Sequence, residues 1–105
     1  MEATKEGMPE TMYRASRCCR VLGNPTAYLL LRSLGKDRKS PTELSEITHI
    51  GLSTVSMTLR HLRELDLVRY ETQGTRKLYW VKDAGVLKVL DTLERFVVAM
   101  RAKEN

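Results

Sequence analysis

The sequence predicts a mainly α-helical domain with one β-hairpin, a winged helix-turn-helix in the order α-α-α-α-β-β-α. Three observations predict it. Two short amphipathic helical patterns stand back to back between Leu44 and Leu62, broken at Ile50-Gly51. Two strand-like runs, residues 67–71 and 76–81, follow at once around Thr72-Gln73-Gly74-Thr75. An apolar seam of Val86, Leu90, Leu93, Val97 and Met100 then recurs at steps of four and three, the spacing of a helix that packs lengthwise on another. Helix, turn, helix and hairpin in that order push one helix into a DNA groove while the hairpin grips the backbone beside it.

Each element has its own local reason. Residues 1–9 are polar, hold Gly7 and Pro9, and lack an apolar period, so they are expected to be a flexible tail, with the domain at 10–102. From Glu10, Met12, Ala15, Cys19 and Leu22 repeat at helical steps until Gly23. Asn24-Pro25 reads as an N-cap followed by proline at the first helical position, where its missing N–H is harmless. Ala27, Leu30, Leu31 and Leu34 form the apolar face of this second helix, which stops at Gly35. After a charged loop, Ser40-Pro41-Thr42-Glu43 is a capping box, so a third helix should start at Pro41 and bury Leu44 and Ile47. The fourth helix turns Val55, Leu59, Leu62 and Leu65 inward. Two strands alone are marginal in water, so the hairpin must lean on the helices. Asp83 caps the last helix.

Composition narrows the functional classes. With 105 residues, 42% of them hydrophobic, the chain can bury one small core but not a deep cleft as well. Lys and Arg number 18 against 13 Asp and Glu, and the net charge of +5 favours an anionic partner. No run approaches the roughly 18 apolar residues of a bilayer span, and the start lacks a signal peptide's pattern, so a cytoplasmic protein is expected, without membrane partners. Cys18 and Cys19 are adjacent, a poor geometry for a disulfide, and are expected as free thiols. There is no Gly-rich phosphate loop, HExxH or nucleophile elbow, so neither an enzyme nor a cofactor is expected.

Helical geometry picks out the surface that would meet DNA. With Val55, Leu59 and Leu62 inward, Ser53, Thr54, Ser56, Met57 and Arg60 face away from the core near the helix start. Hydroxyls let the backbone approach closely and bond base edges or phosphates. Met57 can meet a thymine methyl, and Arg60 a phosphate or a guanine. Gln73, Thr75, Arg76 and Lys77 cluster at the hairpin tip, where cations reach a neighbouring minor groove. Ser40 and Thr42, at the start of the third helix, are further phosphate candidates, with plain capping as the alternative role.

Three pieces of the chain resemble the ArsR/SmtB family of winged-helix repressors. Val21-Leu22-Gly23-Asn24-Pro25-Thr26 is similar to the family's opening "aLGdPtR". Leu52-Ser53-Thr54-Val55-Ser56 with Leu59 and Leu62 resembles its recognition-helix signature "StvS..L..L". Leu65-Asp66-Leu67-Val68-Arg69, Gln73-Gly74 and Leu78-Tyr79-Trp80 resemble its wing. The resemblance implies a homodimer joined by its first and last helices, bound to double-stranded DNA at an inverted-repeat operator and released by a ligand or chemical event. On this chain the interface would hold Met12, Ala15, Cys19, Val86, Leu90, Leu93, Val97 and Met100. Two rivals stay open: a MarR-like or phage-type regulator, and a winged helix that docks on a protein.

The family's metal sites do not carry over. Where some members hold a Cys-x-Cys pair, this chain has Ser40-Pro41-Thr42-Glu43-Leu44. Along the last helix Asp83 remains, but the other zinc positions fall on Gly85, Phe96 and Ala99. No metal site is therefore expected. Ala27-Tyr28 follows Thr26 where the family often has arginine, which removes one habitual contact. Cys18 and Cys19 are the candidate thiol sensor, and nothing in the residue pattern names a small-molecule or redox effector. His49 and His61 stand apart from other ligand types and read as surface or packing residues.

Overall fold

The computed structural model describes residues 7–104, and most of the expected tail lies outside the described residues. The elements are α1 (Glu10–Leu22), α2 (Pro25–Leu34), α3 (Pro41–Thr48), α4 (Leu52–Glu64), β1 (Val68–Gln73), β2 (Arg76–Val81) and α5 (Ala84–Glu104). Helix starts follow the local chemistry of their caps. Asn24 Oδ1 accepts from the Ala27 N–H at 3.0 Å, with Pro25 behind it. At α3 the Ser40 hydroxyl accepts from the Glu43 N–H and the Glu43 carboxylate accepts from the Ser40 N–H, a complete capping box.

The turn of the helix-turn-helix is built from side chains as well as backbone. His49 closes α3 in the left-handed region, φ 62°, and its N–H reaches Ser45 O. Ser45 Oγ donates to Ile50 O at 2.5 Å, and Ile50 N–H donates to Thr48 Oγ1 at 3.3 Å. These bonds satisfy the polar backbone that a tight reversal would otherwise leave bare. They set the angle at which α4 departs.

The core is centred on α2. Ala27, Leu30, Leu31 and Leu34 are buried against Leu44 of α3, Val55, Leu59 and Leu62 of α4, Val68 and Tyr79 of the hairpin, and Leu90 of α5. Ile47, expected to be buried, is 53% exposed. With α3 only two turns long, Leu44 alone lies on its line of contact with α2 and α4. Leu65, also expected inward, is half-buried, because α4 has already ended and Leu65 is its C-cap.

The two strands pair antiparallel from Val68↔Val81 to Gln73↔Arg76. The hairpin is tighter than expected: β1 runs on through Thr72 and Gln73, leaving Gly74-Thr75 as a two-residue turn with Gly74 at φ 63°. A third segment joins it. Lys39, in the loop before α3, exchanges both backbone hydrogen bonds with Tyr79, at 3.0 and 2.8 Å, and closes the free edge of β2.

α5 leaves the core after about two turns. Leu90, expected in the dimer seam, is instead fully buried in the chain's own core, on the inward face where α5 still crosses α2. From Asp91 to Lys103 every residue is exposed. The radius of gyration is 15.6 Å, above the roughly 13 Å of a compact chain of this length. A polar clasp anchors the projecting helix. Tyr28 Oη donates to Glu94 at 2.7 Å, while Arg32 bonds Glu94 at 2.8 Å and Asp91 at 2.6 Å.

Candidate nucleic-acid interface

α4 presents two faces as its spacing requires. Val55, Leu59 and Leu62 are fully buried, whereas Ser53, Thr54, Met57 and Arg60 are exposed and Ser56 is half-buried. Met57, an apolar side chain, is 62% exposed. The helix starts at Gly51 without a side-chain cap, so its first N–H groups point outward uncompensated, the arrangement that attracts phosphate oxygens.

The hairpin tip places Gln73, Thr75, Arg76 and Lys77 in solvent. A shallow groove between the tip and the start of α3 is lined by Thr42, Glu43, Thr75, Arg76 and Lys77, so two sequence segments expected to face DNA do adjoin. Not every expected residue is available there. Ser40 is only 6% exposed, and its hydroxyl accepts the Glu43 N–H in the capping box, the role that stood as the alternative to a phosphate contact. Thr42, two residues on, is exposed. Gln73 donates to Glu71 at 2.8 Å, and Arg76 reaches Glu43 at 3.2 Å.

Glu43 is the residue that sequence reasoning saw only as a cap. Its carboxyl pKa lies below the ordinary glutamate value, first because it accepts the Ser40 N–H, then through the Ser40 hydroxyl, Arg76 and Lys39. It therefore stays charged and links the helix start to the wing. Arg38 was also passed over. Its guanidinium stacks 3.9 Å from the Trp80 ring and pairs with Glu71 at 2.8 Å, fastening the loop before α3 to the outer face of the hairpin. Stacking of this kind has no signature in linear spacing.

On the opposite face of the hairpin the Tyr70 and Tyr79 rings lie 5.2 Å apart. The Lys77 ammonium is 4.9 Å and the Arg63 guanidinium 5.5 Å from the Tyr70 ring centre. Burial raises the Tyr79 pKa, and Arg63 and Arg60 lie close enough to oppose that rise. Arg60 and Arg63 thus flank the notch between α4 and the hairpin. Arg63 falls at i+7 from Ser56 and i+3 from Arg60, a spacing that could have flagged it.

Cys18 is half-buried and Cys19 exposed on α1, both free. Among the described residues no cluster of three or more His, Cys, Asp and Glu is placed to hold a metal ion. His49 serves the α3 turn, and His61 is exposed, 4.0 Å from Glu64. No helix of the described residues is long and apolar enough to cross a membrane.

Known structures share this arrangement. NolR from Sinorhizobium fredii superposes with a TM-score of 0.77 at 24% identity, over 91% of this chain and 96% of that one. The transcriptional repressor BigR from Xylella fastidiosa gives 0.76 at 24% identity, over 89% and 95%. The homodimeric winged helix-turn-helix DNA-binding domain of Mb0332 from Mycobacterium bovis gives 0.76 at 21% identity, over 100% and 96%. No curated protein matches the chain by sequence. Residues 24–70, from the cap of α2 into β1, match the family described as bacterial regulatory protein, arsR family. With its helices, hairpin and core laid out as in these structures, the chain has a winged helix-turn-helix fold, and the segment from the cap of α2 into β1 is similar to the arsR family.

Proposed function

We propose that the protein is a homodimeric, sequence-specific regulator of transcription that binds double-stranded DNA and represses by covering a promoter. The observation that carries this reading is the exposed Ser53, Thr54, Met57 and Arg60 face of α4, set beside a cationic hairpin in the fold of a DNA-binding family. Ser53, Thr54, Ser56, Met57 and Arg60 would enter the major groove. Gln73, Thr75, Arg76 and Lys77 would hold the adjoining backbone, and Thr42 a phosphate between them.

Dimerisation is supported by the apolar surface that α1 and α5 leave uncovered. Met12, Leu93, Val97 and Met100 are each 42–57% exposed, and Phe96 and Val98 extend the apolar surface further around α5. So long a patch on a small domain is the mark of a surface that meets another. The homodimeric state of Mb0332 supports the same assembly. A two-fold dimer would read an inverted repeat whose half-sites lie about 34 Å apart, one helical turn.

The reading includes neither of the metal sites that the family resemblance suggests. The α3 position carries hydroxyl and carboxylate side chains engaged in the capping box, and α5 offers Gly85, Phe96 and Ala99. Acting on a promoter, the protein would work in the cytoplasm. Selection from a random pool of duplex DNA tests the whole reading. Recovery of one inverted repeat is the expected result; no retention of duplex at low salt would overturn it.

A further inference from the structure

We infer that Arg63, Tyr70 and Lys77 form a seat for the phosphodiester strand that separates the groove read by α4 from the groove reached by the wing. The inference rests on the DNA-binding reading above and adds to Lys77 two residues, Arg63 and Tyr70, that this reading leaves idle. A helix in a major groove and a hairpin in the next minor groove necessarily straddle one sugar-phosphate strand. That strand has to cross the notch between α4 and the hairpin, so whatever lines the notch meets phosphate.

The lining suits an anion. Ser56, Arg60 and Arg63 share one flank of α4 at i, i+4 and i+7, beside the buried stripe and towards the hairpin. Arg63 from the helix and Lys77 from β2 converge on the same Tyr70 ring, at 5.5 and 4.9 Å. The ring is itself steadied by the buried Tyr79, 5.2 Å away. An aromatic face attracts cations without neutralising them, so both charges remain available to a phosphate oxygen that reaches the rim of the ring.

Pairing separates these cations from Arg38 and Arg76, the other cations around the hairpin. Among the described residues, Arg60, Arg63 and Lys77 make no ion pair within 4.0 Å, whereas Arg76 is engaged by Glu43 and Arg38 by Glu71. A shallow depression between the end of α4 and β1 is lined by Arg63, Arg69, Tyr70 and Thr72. Its two acids are already partnered, Asp66 by Lys82 and Glu71 by Arg38. Phosphate binding at Arg76 must displace a carboxylate; at Arg63 and Lys77 it displaces only water and counterions. The seat would raise affinity for any duplex and contribute no sequence preference.

The test is a salt titration of binding to a random-sequence duplex, followed by fluorescence anisotropy, for the full chain and its variants. Arg63→Ala is expected to weaken binding to every duplex alike and to reduce the slope of log affinity against log salt by about 0.9, one phosphate contact. Arg63→Lys should keep the slope, and Arg17→Ala, which removes an equal charge from α1, should leave it unchanged. Circular dichroism checks folding; if Arg63→Ala unfolds, Arg63→Gln carries the same readout. An unchanged slope for Arg63→Ala or Arg63→Gln, in a chain whose wild type binds, would overturn the seat and leave the regulator reading standing. A wild type that does not bind at all would overturn both.

Discussion

At the scale of single residues, Glu43 joins the fold to the candidate interface. One carboxylate caps the start of α3 and holds the wing cation Arg76. A negative charge in a groove proposed to meet phosphates opposes binding, so Glu43→Gln should tighten DNA binding several-fold at low salt. Glutamine still accepts the Ser40 N–H, and thermal stability should change little. Anisotropy and thermal melts check this; weaker binding in a folded variant would refute it. Glu43, Asp66, Glu71 and Glu94 share a second property, carboxyl pKa values held below their ordinary ones by hydrogen bonds and nearby cations. A carboxyl whose folded pKa is depressed stabilises the fold above its unfolded pKa and loses that contribution as pH falls through the folded value. The melting temperature should therefore be level near neutrality and drop as pH falls below the ordinary glutamate value of 4.5. A melting temperature unchanged down to about pH 3 would contradict the pairing seen here.

At the scale of elements, α2 is the hub. Leu30 and Leu34 are fully enclosed between α3, α4 and the hairpin, and Leu30→Ala should cost about 2–5 kcal/mol by chemical denaturation, a large share of the stability of so small a domain. α2 also controls α5 through the clasp of Tyr28 and Arg32 with Asp91 and Glu94. Arg32→Ala should speed amide exchange along residues 91–103 while leaving the α4 core protected. Uniform exchange in wild type and variant would mean that the clasp does not hold the helix. Caps and helical periods made the helices legible, since each depends on residues within one or two turns. The Lys39 bridge and the Arg38–Trp80 stack were not legible, because each joins residues some 40 positions apart through geometry that only the folded hairpin provides.

At the scale of the whole molecule, the contrast between Leu90 and Val97 is decisive. Both sit on one heptad-like seam, yet Leu90 is sealed in its own core and Val97 is 52% exposed. Val97→Glu should give folded monomers by sedimentation and abolish tight binding to an inverted repeat, whereas Leu90→Glu should unfold the chain. Folded dimers of Val97→Glu would remove α5 from the interface. Phe96 and Val98 were missed because they lie off the seam, and their exposure widens the apolar surface that a second copy would cover.

What the sequence determined by itself is the set of elements, most of the core and the outward face of α4. These follow from spacing, caps and turn chemistry, which act over a few residues and leave their pattern in the chain. Only the tertiary structure decided which surface side chains remain available: Ser40 is enclosed by its own cap, Arg76 is engaged by Glu43, Leu90 is taken into the core, and Arg63 and Lys77 are brought to one tyrosine ring. Availability depends on what the fold sets opposite each group, and pairings between distant segments have no periodic trace in a linear chain.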